Sequence, residues 1–328
     1  MDKLLRADEK TRSQVFQETG IKRNVISSII EKDFWGCYVL HRLFSHSEMS
    51  RNIIFKGGTS LSKVFTAIER FSEDIDLILN WNVLSTENPY LKRSNTQQDR
   101  FNKYLYEVTQ AYLRDTMFPV VKKILPECKV LIDESNPLTM QVEYPVSFPE
   151  SYILPYIQLE FGPLAAWTPH SEYVISSYVA QEYPTLFDVV DVRVKAVDVE
   201  RTFWEKVTIL HHEAHRPETS RMPDRYSRHY YDLYMLMGNA EIQGKALDNL
   251  DILSDVVRFK SKFYPRGWAQ YELAKPGTMK IAPPEYRYKE LKKDYRQMAE
   301  MIYGNVPDFE ALIIGLKQLE NEINKSCG

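Results

Sequence analysis

At 328 residues and 38.5 kDa the chain is long enough to bury a sizeable core, and the usual size of domains suggests about two of them. Its 44% hydrophobic, 27% charged and 12% aromatic residues exclude a disordered or fibrous chain, and 42 basic against 45 acidic residues, a net charge of -3, exclude a basic nucleic-acid coat while leaving local patches open. Cys37, Cys128 and Cys327 have no CxxC spacing and no even count, which argues against a disulfide framework or a cysteine zinc site.

In chain order, residues 1 to 48 read as helical, with Ile26, Ile29, Ile30, Cys37 and Leu40 recurring at helical spacings. The start of the chain, MDKLLRADEKTRSQ, is charged and lacks an apolar signal core, and no run of 18 apolar residues occurs later. A cytoplasmic location without a membrane is therefore expected. Asn52 to Lys56 reads as a short strand, Gly57-Gly58 as a turn, and Thr59 to Arg70 as a helix through Leu61, Val64, Phe65 and Ile68. Asp74 to Leu79 alternates carboxylate and aliphatic residues like a half-exposed strand and leads into a polar, Asn-containing loop. Residues 98 to 123 suggest a helix, and Lys129 to Asp133, Met140 to Val146 and Ile153 to Phe161 suggest strands. From Asp198, a candidate cap, the pattern turns helical: Val199, Phe203, Val207, Leu210 and Ala214 form one apolar stripe. Residues 228 to 238, 246 to 262, 287 to 303 and 308 to 325 supply further helices. The expected class is α/β, with a mixed α/β lobe over residues 1–190 and a C-terminal helical lobe over 191–328.

The sharpest chemical signal is Gly57-Gly58-Thr59-Ser60 followed by Asp74-Ile75-Asp76. Two glycines between a strand and a helix let backbone approach a ligand, and amides at a helix start favour phosphate. Asp74 and Asp76 are two apart on a strand and share a face, where like charges repel unless a cation joins them. Magnesium suits such a pair, because it takes hard oxygen ligands from one or two carboxylates together with substrate phosphates. Glu160, on a candidate neighbouring strand, would complete a metal site; Asp133 competes for that role. Either feature alone is a common turn or a solvated strand edge. Together, around one strand-turn-helix-strand unit, they point to function.

GGTSLSK followed by RFSEDIDL resembles the first two motifs of the AbiEii/AbiGii toxin family of nucleotidyltransferases, distant relatives of the DNA polymerase beta superfamily. ERTFWEKVTIL, centred on Lys206, and RHYYDLY, centred on Asp232, resemble the third and fourth motifs. EKDFW and the tail segments FYPRGW, KPGT and DYRQM are similar to segments of the family as well. The resemblance implies a polymerase-beta-like nucleotidyltransferase lobe with a helical lobe closing a cleft over the nucleotide. Gly57, Gly58, Thr59 and Ser60 would hold nucleotide phosphates, with Lys63 as an extra charge; Asp74 and Asp76, with Glu160, would bind magnesium; and Arg70 or Ser72 would steady the triphosphate. Lys206 would contact the triphosphate and Asp232 would complete the cleft. The implied activity is transfer of an NMP from an NTP to an acceptor, RNA such as a tRNA 3' end, by the toxin of a bacterial toxin-antitoxin or phage abortive-infection pair with a cognate antitoxin.

Two of these residues stand out without the resemblance. Lys206 lies inside the apolar stripe of its helix, so it needs a partner or must snorkel to water. Asp232 sits among aromatic and aliphatic residues and also needs a partner, for which Arg228, one turn earlier, is available. Asp33, in another apolar stripe, is assigned a structural cap or pairing and no catalytic role. His211, His212, Glu213 and His215 do not match the zinc-protease spacing, and GGTSLSK is not a Walker A loop. Residues 258 to 296 hold 11 basic and 4 acidic residues, interleaved with Phe259, Phe263, Tyr264, Trp268, Tyr271, Tyr286, Tyr288 and Tyr295, a pattern suited equally to single-stranded RNA and to a packed lobe with a basic face. Two other readings remain: a non-catalytic nucleotide or RNA sensor, and a transferase acting on protein hydroxyls.

Overall fold

The computed structural model describes residues 1–150 and 153–326. Cys327 lies outside the described residues. The chain forms two compact units, Met1–Val64 with Phe71–Val197, and Phe65–Arg70 with Asp198–Gly328. The first unit therefore lends six residues to the second before the chain returns at Phe71.

The first unit is built on a seven-stranded mixed sheet. Its strands are β1 (Ile53–Lys56), β2 (Asp74–Leu79), β3 (Lys129–Ile132), β4 (Thr139–Glu143), β5 (Tyr156–Gly162), β6 (His170–Ile175) and β7 (Val192–Val197), in the spatial order β3-β4-β5-β2-β1-β7-β6. β2 runs antiparallel to β1 and parallel to β5. The alternation in β2 works as the sequence implies: Ile75, Leu77 and Leu79 are buried, while Asp74 and Asp76 stay half-exposed on the opposite face. β5 alternates in the same way, with Ile157, Leu159 and Phe161 buried and Gln158 and Glu160 half-exposed. Helix Ser27–Ser45 packs on β5 and β7 and fills the core with Phe34, Trp35 and Tyr38.

Several boundaries differ from the sequence expectation. The helix after β1 spans only Gly57–Lys63, because the chain turns at Thr66, whose φ of +50° is left-handed, and Arg70 then bridges Ile302 in the second unit. The helix expected over 98 to 123 is Asn95–Tyr112, opened by a capping box at Ser94 and Gln97 and followed by a π turn at Leu113–Met117 and a further helix, Phe118–Ile124. β5 begins after Pro155, which lacks the N–H that a ladder requires. β6 and β7 were not among the expected strands. β7 directly precedes the helical half in the chain, and its VRVKAV alternation buries Val192, Val194, Ala196 and Val197.

The second unit is helical, with Val199–Ala214, Ser227–Gly238, Ala240–Leu247, Leu250–Phe263, Tyr288–Ala299 and Phe309–Lys325. The 246 to 262 pattern is thus divided at Asp248, between two helices. Val199, Phe203, Val207 and Leu210 form the expected buried stripe. Asp198 occupies the cap position in extended conformation, but its side chain makes no capping bond. No helix among the described residues is long and apolar enough to cross a membrane.

Candidate active site

In the first unit, β1 delivers Gly57 to the flank of β2. Lys56 pairs with Asp76 in the antiparallel ladder, and Gly57 follows with a φ of +83°, a conformation that glycine adopts without strain. A Cβ on Gly57 would stand 1.9 Å from Oδ2 of Asp76, so the carboxylate occupies the space a side chain would need. The diglycine bend and Asp76 are therefore one construction. Thr59 locks it from the other side: its hydroxyl donates to the Asp74 carbonyl at 2.5 Å, and the Ser60 hydroxyl donates to the Gly57 carbonyl at 2.8 Å. Both hydroxyls of the GGTS motif are committed to the protein, which leaves main-chain amides as its means of meeting phosphate. Ser72 adds its carbonyl, 3.4 Å from the Thr59 hydroxyl.

The parallel β2–β5 register places Asp74 beside Gln158 and Asp76 beside Glu160, and the β5–β4 register places Glu160 opposite Thr139. Adjacent strands lie about 4.8 Å apart, so Glu160 is one strand from Asp76. Asp133 donates its amide to the Thr139 carbonyl at the end of β3, three strands from Asp76 and roughly 14 Å away. Its carboxylate accepts from the Ser135 amide and hydroxyl and from Gln141, bonds that hold it below the usual carboxylate range. Gln158 donates to Glu160 at 2.7 Å. Among the described residues no three His, Cys, Asp or Glu side chains are gathered closely enough to hold a metal ion. Asp74, Asp76 and Glu160 share a face without forming a closed ligand set. Two strand carboxylates with an open side nevertheless fit magnesium, which commonly takes its remaining oxygens from substrate phosphate and water.

The neighbouring acidic and basic residues are anchors. Glu73, just before β2, pairs with Lys32 at 3.1 Å and accepts from the Leu154 amide, and both Glu73 and Lys32 are buried. Lys63 is held by Asp33 at 2.6 Å, with both side chains under a tenth exposed and the ammonium 4.0 Å from the Tyr178 ring centroid. Glu31 accepts from the Ser147 and Phe148 amides. The EKD of EKDFW thus pins three separate segments of the unit to helix Ser27–Ser45. Asp33 has the structural pairing expected of it, and the charge of Lys63 is directed to it.

In the second unit, Arg70, Lys206 and Asp232 form a buried cluster. Arg70 bridges Asp232 with two prongs, Nε to Oδ1 at 2.6 Å and Nη2 to Oδ2 at 2.8 Å, and Lys206 Nζ donates to the same Oδ2 at 2.7 Å. Asp232 is 0% exposed. Burial alone would raise its carboxyl, but Arg70 and Lys206 outweigh that effect and hold it well below the usual carboxylate range. Burial, reinforced by Lys206 and Arg228, drives the His229 imidazole well below its ordinary value, so its Nδ1 is neutral and accepts from Lys206 at 3.2 Å. The partner that each of Lys206 and Asp232 demanded is the other. Arg70, rather than Arg228, supplies the second cation, a pairing across 162 residues that no local spacing reveals.

A profile of the AbiEii family, described as the nucleotidyl transferase AbiEii toxin of a type IV toxin-antitoxin system, matches residues 38–314. The chain belongs to the AbiEii nucleotidyltransferase toxin family. The matched span contains all four motifs around Gly57, Asp74, Lys206 and Asp232, whereas EKDFW precedes it. Membership makes this AbiEii protein a nucleotidyltransferase and implies a cognate antitoxin. Comparison with curated proteins returns no match. Among solved structures the chain is similar to the nucleotidyltransferase toxin MenT4 from Mycobacterium tuberculosis, with a TM-score of 0.43 and 15% identity over 96% of this chain and 97% of that chain.

His211, set aside as a metal ligand from its spacing, is a buried brace: its Nδ1 accepts from the Lys280 amide and its Nε2 meets the Gln270 carbonyl. The 258 to 296 segment is largely a packed lobe. Phe259, Phe263, Tyr271 and Tyr295 are buried, and Trp268 has His212 stacked on it at 4.3 Å and Arg216 at 4.7 Å.

Proposed function

We propose that this AbiEii-family enzyme transfers an NMP from an NTP to an RNA acceptor, such as a tRNA 3' end, with magnesium bound at Asp74 and Asp76. The observation that carries the reading is the joint construction of Gly57 and Asp76, in which a main-chain bend and a carboxylate share one space beside Asp74 and Glu160. Asp74 and Asp76 would hold the divalent ion, and Glu160, one strand away, would serve as third ligand or take the proton of the acceptor hydroxyl. The Gly57-Gly58 backbone would lie along the triphosphate. Magnesium, when bound, would supply Lewis-acid polarisation of the α-phosphate and lower the pKa of the attacking hydroxyl. In the reaction the acceptor oxygen bonds to the α-phosphorus, the α–β anhydride bond breaks, and pyrophosphate leaves with its electron pair. In the helical unit, Asp232 holds Arg70 and Lys206 as an ordered pair of cations.

The test is incubation of purified protein with each α-labelled NTP, magnesium and total RNA. Label is expected in RNA, at a rate reduced at least 1,000-fold in Asp76→Asn, the scale on which loss of a preorganised electrostatic group acts. Absence of RNA label with all four NTPs would overturn the RNA reading; label on protein would move the acceptor to a protein hydroxyl. An Asp76→Ala variant that retains the cellular effect would instead identify a binding module.

A further inference from the structure

The loop after β2, unremarkable as sequence beyond its polarity, forms two adjoining cavities that share Glu87 as a wall. The first, about 490 Å³, is a cup whose aromatic walls are Trp81, Tyr90 and Trp167 and whose rim includes Asn82 and Asn88. Tyr90 stacks on Trp81 at 5.4 Å and 17°, so one ring face is backed by a buried indole while the residue remains 51% exposed. The second, about 420 Å³, is lined by Lys92, Arg93, Arg100 and Tyr104. Residues 80 to 104 contain four basic and two acidic side chains. Both acids are matched, Glu87 by Arg93 and Asp99 by Lys103, which leaves the exposed Lys92 and Arg100 as the surplus positive charge.

The cup lies on the same sheet face as the candidate metal-binding carboxylates. Trp167 packs on Ile54 and Ile78, and Ile78 has the same alternation as Asp74 and Asp76. From Asp76 to Ile78 and on to Asn80, at the cup, is about 7 to 13 Å along the strand. A polyanion with flat, hydrogen-bonding rings fits this combination better than a peptide does: stacking faces suit unpaired bases, Asn side chains suit their edges, and unmatched cations suit phosphates.

We propose that the groove between Asn80 and Tyr104 binds the single-stranded end of the acceptor RNA, with an unstacked base on the Tyr90 and Trp167 rings and backbone phosphates on Lys92 and Arg100. The proposal rests on RNA being the acceptor and places it on the sheet-bearing unit rather than on the 258 to 296 segment.

The experiment measures equilibrium binding of a labelled single-stranded oligoribonucleotide, without NTP, alongside the transfer assay, for wild type, Tyr90→Ala, Lys92→Glu/Arg100→Glu, and a comparison variant, Arg266→Glu/Lys280→Glu. All the substituted side chains in the groove are exposed, and a melting midpoint equal to that of wild type confirms the fold. Tyr90→Ala is expected to weaken RNA binding roughly 5- to 150-fold, the range for loss of one base-stacking ring. The Lys92/Arg100 variant should bind at least tenfold more weakly and lower the slope of log affinity against log salt by about 1.4, for two phosphates on a single strand. KM for RNA should rise in both while KM for NTP stays unchanged, and the comparison variant should behave as wild type. Wild-type affinity in both groove variants, with RNA still labelled by wild type, would overturn the groove alone. Failure of the wild-type protein to bind or label RNA would overturn the acceptor reading and the groove with it.

Discussion

Asp232→Ala is the most discriminating perturbation of the helical unit. The substitution leaves Arg70 and Lys206, 4% and 7% exposed, as two buried cations without a counter-charge. Removing one partner of a buried ion pair costs about 3–5 kcal/mol, most of it the desolvation of the charge left behind. Here two charges are left behind and they also repel, so the loss should fall at the upper end, about 5 kcal/mol, or a fall of roughly 10 °C or more in the melting midpoint of a unit this size. Lys206→Met is the counterpart. It leaves the two-pronged Arg70–Asp232 bridge intact and electrically neutral, and Met reproduces most of the lysine stem, so its cost should stay below about 2 kcal/mol. Urea unfolding and calorimetry of both variants at pH 7 provide the measurement. An Asp232→Ala loss within about 1 kcal/mol of wild type, or a Lys206→Met loss equal to it, would refute the account of Asp232 as the common anion of the cluster.

The same cluster has a pH signature. Because the folded pKa of Asp232 is depressed, its contribution is fully present above the unfolded carboxyl value, about 4, and is lost as pH falls from there toward the folded value, so the stability gap between wild type and Asp232→Asn should narrow on acidification below pH 4. His211, lowered to about 4 chiefly by burial, works at milder pH: its contribution is full above about 6.5 and is lost as pH falls toward 4, so melting curves at pH 7.5 and 5 should differ more for wild type than for His211→Phe. Gly57→Ala should lower transfer at least 100-fold, since the new methyl group both resists a φ of +83° and displaces Asp76; the comparison of its transfer rate with that of Gly58→Ala checks the point. Asp74→Asn and Asp76→Asn, which relieve repulsion between half-exposed like charges, should abolish transfer yet leave the melting midpoint unchanged or slightly raised.

The part of the fold that sequence reveals is the part governed by local periodicity. β2 could be read because Asp-Ile-Asp-Leu alternates and the sheet buries one face only; helix Val199–Ala214 could be read because its stripe is continuous. The places where reading stops have non-local causes. The helix after Gly57 ends at Lys63 although Phe65 and Ile68 extend its apolar pattern, because residues Phe65–Arg70 are packed within the other compact unit: Tyr231 accepts from the Glu69 amide, and Tyr303 donates its own amide to the Glu69 carbonyl. Apolar periodicity records that a residue is buried and not what buries it. The loop from Asn80 to Tyr104 was equally opaque, since the aromatic wall of its cup includes Trp167, which is brought over Ile78 by the chain beyond β5.

Charged residues in apolar stripes carry a different kind of information. Asp33, Lys206 and Asp232 all lie where helical periodicity predicts a hydrophobic side chain, and each, like the neighbouring Lys32, is found in an ion pair whose side chains are under a tenth exposed. The cost of leaving such a charge unpaired is large, so sequence alone marks each as needing either a partner or a route to water. It does not identify the other member, because attraction across a folded interior is indifferent to chain separation: Glu73 is 41 residues from Lys32, and Arg70 is 162 from Asp232. The open carboxylates obey the opposite logic. Asp74 and Asp76 stay half-exposed, where water screens them, and the placement of Asp76 against the main chain of Gly57 is left to be explained by what it binds.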